Sequence, residues 1–106
     1  MESLSSAQRR FAGMVGKLIT WLYTHPNLGV TFGDAYATQG HMAHSCHYLR
    51  LAVDLNLFVD GQYRTDTDAY RILGDYWKTL APDARWGGDF AKADGNHFSI
   101  TWEGRA

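Results

Sequence analysis

From Phe11 onward the apolar residues recur as Phe11, Met14, Val15, Leu18, Ile19 and Leu22, the i, i+3, i+4, i+7 spacing that gives a helix one continuous apolar face. This predicts a first amphipathic helix, with Ser5 or Ser6 capping its start. His25-Pro26-Asn27 should end it, because proline disfavours helical geometry in the residue before it. Gly29 to Tyr36, where Val30, Phe32 and Tyr36 stand among small residues, reads as a short extended segment. Ala37 to Tyr48 has no clean period and reads as a loop with room for a helical turn.

Leu51 to Phe58 gives the clearest strand. Leu51, Val53, Leu55 and Leu57 alternate with Ala52, Asp54, Asn56 and Phe58, which turns the apolar row to the core and Asp54 to the other face. Asp60-Gly61 is a hairpin turn signal, and Gln62 to Arg64 should begin the return strand. Asp66 or Thr67 then caps a second helix with Ala69, Leu73, Tyr76, Trp77 and Leu80 on its apolar face and Pro82 just past its end. Trp86-Gly87-Gly88 reads as a tight turn. His97 to Trp102 alternates again, with Phe98, Ile100 and Trp102 facing inward and His97, Ser99 and Thr101 on the opposite face. The expected fold class is α+β, with helices packed on a small, mainly antiparallel sheet in one domain spanning 1–106.

Composition narrows the function classes. A chain of 106 residues that is 45% hydrophobic and 14% aromatic has apolar material for a real core, which argues against disorder. Ten basic against eleven acidic residues give a net charge of -1, so neither nucleic acid nor an anionic membrane surface is an expected partner. No apolar run approaches the roughly 20 residues that cross a bilayer. The polar stretch from Met1 to Arg10 does not resemble a signal peptide, so synthesis in the cytoplasm is expected. A single cysteine, Cys46, forms no internal disulfide and reads as a small buried residue rather than a nucleophile.

The histidines carry the chemistry, since imidazole and carboxylate are a usual ligand set for zinc. One grouping is local, His41, His44 and His47 at spacings of three with Cys46 as an added thiolate, but it lacks an expected scaffold element to hold it. The other combines His47, just before the first clear strand, with Asp54 on that strand and His97 on the last one. Two nitrogens, one oxygen and an open fourth position make a catalytic rather than a structural zinc site. Asp94, three residues before His97, is the candidate general base.

The segments Ser45-Cys46-His47-Tyr48-Leu49-Arg50-Leu51-Ala52-Val53-Asp54 and Asp94-Gly95-Asn96-His97 resemble the motifs S-x-H-x-x-G-x-A-x-D and D/E-x-x-H of a known family. That family comprises zinc-dependent D-alanyl-D-alanine carboxypeptidases and phage L-alanyl-D-glutamate endopeptidases. Asp54-Leu55-Asn56-Leu57-Phe58 and Trp86-Gly87-Gly88-Asp89-Phe90 look like its phage-encoded branch. The resemblance implies the zinc peptidase fold shared by Hedgehog and DD-peptidase domains. It also implies Zn2+ held by His47, Asp54 and His97, Asp94 as catalytic base, and the stem peptide of peptidoglycan as substrate. L-Ala-D-Glu cleavage is favoured over D-Ala-D-Ala cleavage, by a monomer that reaches the wall after release from the cytoplasm.

Four further residues are candidates for supporting the ligands or touching substrate: Ser45, Arg50, Tyr36 and Trp86. Ser45 reads equally as a hydrogen-bonding partner of the site and as a loop cap. Arg50 stands where the family pattern has glycine, which implies an unstrained backbone there. Trp86 and Tyr36 lie near the presumed cleft as candidate substrate contacts and read at least as readily as core residues, whereas Trp77 and Trp102 read as core. The family commonly has arginine after tyrosine in the preceding extended segment, and this chain has Ala37. An alternative therefore stays open, a phage structural or binding protein that keeps the scaffold and zinc site without cutting.

Overall fold

The computed structural model describes residues 1–36 and 45–106; His41, His44 and Ala37 lie outside them. The first helix, α1 (Leu4–Leu22), starts earlier than its sequence period suggests. Ser3, not Ser5 or Ser6, is its cap: Ser3 is extended, and its hydroxyl accepts from the Ser6 amide at 3.1 Å. Fully buried Ala7, one turn before Phe11, continues the apolar stripe backward. The helix stops at Leu22, where the Tyr23 amide still reaches the Ile19 carbonyl at 3.0 Å, so the chain has already turned before His25-Pro26.

Among the described residues, five strands follow the element order β1 (Leu28–Phe32), β2 (Ala52–Val59), β3 (Gln62–Tyr63), β4 (Ala84–Trp86) and β5 (His97–Ile100), with α2 (Thr67–Thr79) between β3 and β4. The sheet runs β1-β2-β5-β4, and β3 pairs with the far end of β2. All pairings are antiparallel, from Leu28↔Val59 to Phe32↔Leu55 along β1 and β2, and through Asp54↔His97 between β2 and β5. The small α+β architecture with a mainly antiparallel sheet is thus as the sequence indicated. Strand β4 corrects the reading of Trp86 as turn. With three residues, one of them exposed, it is too short to display a period, and pairing with β5 makes it a strand.

Helix α2 begins at Asp66, whose carboxylate accepts from the Ala69 amide at 3.1 Å. Arg64 grips the same carboxylate and holds it below the usual range. Its buried residues are Tyr70, Leu73, Gly74 and Trp77, so the inward face is rotated from the expected set, and Ala69, Tyr76 and Leu80 lie at the margin. Polar handles explain the rotation. The Tyr70 hydroxyl accepts from the Leu57 amide at 2.9 Å and donates to the Arg64 carbonyl at 2.8 Å, while the Trp77 indole donates to the Ser99 carbonyl at 3.0 Å. Edge-on aromatic contacts from Phe11 to Trp77 and from Trp77 to Phe98 join α1, α2 and β5 in one core. Trp102 falls outside β5 and is only half-buried. No helix among the described residues is long and apolar enough to cross a membrane.

Candidate metal centre

His47 is delivered by a single 3₁₀ turn, Cys46–Leu49. Ser45 caps that turn, its hydroxyl accepting from the His47 amide at 3.2 Å, so the capping reading of Ser45 is the observed one and acts on the backbone of His47 itself. Cys46 is fully buried, its thiol reaches the Ile100 carbonyl at 3.5 Å, and burial pushes its pKa up to about 11. It has no character of a nucleophile. The turn closes at Arg50, whose φ is 56°. Here the expectation of an unstrained backbone is corrected. The chain needs the left-handed geometry for which glycine is suited, because the Arg50 amide must reach back to the Cys46 and His47 carbonyls.

Asp54 and His97 face each other as cross-strand partners of β2 and β5, which puts their side chains side by side on one face. Extended backbone beyond β1 lies against the same place: the Gly33 amide donates to the Asp54 carbonyl at 2.8 Å, and the Asp54 amide donates to the Asp34 carbonyl at 2.7 Å. The three side chains converge. His47 Nε2 stands 3.1 Å from Asp54 Oδ1 and 3.2 Å from His97 Nδ1, and His97 Nδ1 is 3.8 Å from Asp54 Oδ1. Ligands at 2.0–2.2 Å from a tetrahedral zinc are separated by about 3.3 Å from one another, so the three separations suit a metal ion held by all three atoms. Both histidines are buried and the aspartate is half-buried. A carboxylate so placed requires a paired or coordinating partner, a need that a metal ion held with the two imidazoles would meet.

Ser99 belongs to the site although it was not singled out. It lies two residues beyond His97 on the same strand face, and its hydroxyl is 3.0 Å from His97 Nε2. In the tautomer whose Nε2–H donates to that hydroxyl, the Nδ1 lone pair faces His47 and Asp54, the form a metal ligand needs. The strand alternation was the signal that could have found it. Phe90 packs its ring 5.2 Å from that of His97.

Asp94 precedes His97 across a β-turn, closed by the His97 amide donating to the Asp94 carbonyl at 3.1 Å. Asp94 is exposed and is not part of the three-atom group. It lines a cavity of about 200 Å³ with Tyr63, Thr65, Thr67, Tyr70 and Asn96. Tyr36 is 46% exposed, and the Arg50 guanidinium sits 4.2 Å from its ring centre, so these two candidates meet each other at the surface. Trp86 is 0% exposed and belongs to the core, the second of its two readings.

No protein-family model matches this chain, and no curated protein matches its sequence. Its fold is similar to that in the crystal structure of the Serratia marcescens L-Ala D-Glu endopeptidase ChiX. The TM-score is 0.61 over 95% of this chain and 90% of that one, at 17% sequence identity.

Proposed function

We propose that the chain is a zinc-dependent peptidase of the phage endolysin kind, hydrolysing a peptide bond in the stem peptides of peptidoglycan, with the L-Ala-D-Glu bond favoured. The observation that carries this reading is the convergence of His47 Nε2, Asp54 Oδ1 and His97 Nδ1 at 3.1 to 3.8 Å from one another. Two histidines and one carboxylate hold zinc while leaving a position open, the arrangement of catalytic rather than structural sites. The fold shared with an L-Ala D-Glu endopeptidase supports the choice of substrate class.

When bound there, zinc would supply Lewis acidity, polarising a carbonyl and making water nucleophilic near neutral pH. The remaining work falls to the chain. Asp94 accepts the proton of the water that attacks the carbonyl carbon, and gives it to the amine as the C–N bond breaks, leaving a carboxylate and a free amine. Asp54 is unsuited to that role because its Oδ1 is turned toward the two imidazoles. Arg50, which closes the His47 turn, and Tyr36, whose ring it meets at the surface, offer a cation and an aromatic face to the peptide.

Mass spectrometry of purified peptidoglycan, incubated with zinc-loaded protein beside a chelated control, tests the reading. New termini that appear only with zinc are expected, with fragment masses naming an L-Ala-D-Glu break. Unchanged muropeptides at full zinc occupancy would overturn it in favour of a binding protein. Asp94→Ala should keep zinc and lose at least 100-fold in rate.

A further inference from the structure

The turn that carries Asp94 and His97 is held from beneath by two residues with no place in the chemistry above. Trp86 is fully buried, and its indole N–H donates to the Gly95 carbonyl at 2.7 Å, inside the turn. A buried indole N–H needs an acceptor, and here the acceptor is the peptide unit between the two functional side chains. Gly87 takes the other side. Its carbonyl accepts from the Asp94 amide at 2.8 Å, and a Cβ placed on it would stand 2.0 Å from the Asp94 carbonyl oxygen and 2.8 Å from His97 Cβ. The next carbonyl, that of Asn96, accepts from Leu55 of β2 at 2.9 Å. The ring of Trp86 is itself fixed, since a Cβ on Gly74 of α2 or on Gly88 would fall 2.2 Å from its atoms.

We infer that Trp86 and Gly87 are positioning residues, a clamp that sets Asp94 and His97 at a fixed separation and so couples base to metal ligand. The inference rests on the functional reading of those two residues. Loss of the clamp leaves the three ligands in the sequence but lets the turn between Asp94 and His97 drift. Supporting contacts around metal ligands typically cost 10- to 100-fold in affinity or activity when removed.

The test replaces Trp86 with benzothienylalanine, which keeps the ring volume and removes only the N–H, and uses Trp86→Phe as the genetically encoded counterpart. Zinc affinity is measured by competition with a chelating dye, kcat and KM on muropeptides, and amide hydrogen exchange on the metal-free protein. Expected are an approximately tenfold weaker zinc affinity, an approximately tenfold lower kcat with KM within twofold, and at least tenfold faster exchange at the Asp94 and His97 amides, with Leu57 on β2 unchanged. A lower melting temperature with zinc affinity, kcat and local exchange all unaltered would mean that Trp86 is merely structural, and would overturn the inference. Because exchange is read without metal, it judges the clamp separately: unchanged protection at Asp94 and His97 defeats the clamp, whereas failure of the unaltered chain to bind zinc defeats the functional reading.

Discussion

At Arg50 the backbone stands at φ 56°, a region that costs an L-residue about 1–2 kcal/mol. Glycine relieves that cost but adds unfolded-chain entropy, and it forfeits the contact with Tyr36, each worth about 0.5–1 kcal/mol. The opposing contributions nearly cancel, so Arg50→Gly should leave stability within about 1 kcal/mol of the parent. Arg50→Val, β-branched and left-handed, should lose more than that; urea melts of the two variants read the difference. The glycine of the family motif pointed to this geometry, and the arginine in its place hid it, since an L-residue does not announce a left-handed φ. Cys46 makes a second case. Being fully buried with its thiol raised to about 11, it should resist iodoacetamide at pH 8 in the folded protein and react within minutes in denaturant. Labelling at the same rate in both states would show that the His47 turn opens readily.

Between elements, the contact of α2 with β4 turns on Gly74, which lies fully beneath the Trp86 ring. Helix propensity alone says that Gly74→Ala should stabilise by about 1 kcal/mol. Overpacking says the reverse: a Cβ 2.2 Å from the ring must displace a side chain that is fully buried, at a cost of about 1–3 kcal/mol or more. Packing wins, and the variant should melt lower. Gly13 and Gly16 on α1 are the contrast, for nothing lies within 4 Å of a Cβ at either. Replacing each by alanine should raise stability by about 0.5–1 kcal/mol, read by thermal melts. The same logic explains which elements were legible. Helix α1 and strand β2 are long enough for their apolar period to declare itself, and Asp66 and Asp60-Gly61 carry their cap and turn chemistry locally. Strand β4 was missed because three residues paired with β5 owe their conformation to a partner distant in sequence. The inward turn of Tyr70 was missed because two hydrogen bonds, not hydrophobicity, draw it in.

Across the whole molecule, the three candidate ligands come from the His47 turn, β2 and β5, so one ion would tie together segments fifty residues apart in sequence. Spacing in the chain suggested the set, but only the pairing of Asp54 with His97 shows how it comes together: an antiparallel register places residues far apart in sequence on one face, and a capped turn brings His47 to them. An ion that binds the folded chain and not the unfolded one stabilises by mass action, about 2.7 kcal/mol at one hundred times its dissociation constant. For a domain of this size each kcal/mol moves the midpoint by several degrees, so zinc at that excess should raise the melting temperature by on the order of 10 °C, reversed by chelator. The same titration separates ligand from base. His47→Ala removes one of the three candidate ligands and should leave a protein whose midpoint no longer responds to zinc. Asp94→Ala, outside the three-atom group, should retain the full response while turnover is lost. A zinc response that survives His47→Ala would place the ion elsewhere on the chain. A response lost with Asp94→Ala would make that residue a ligand and require another base for the attacking water.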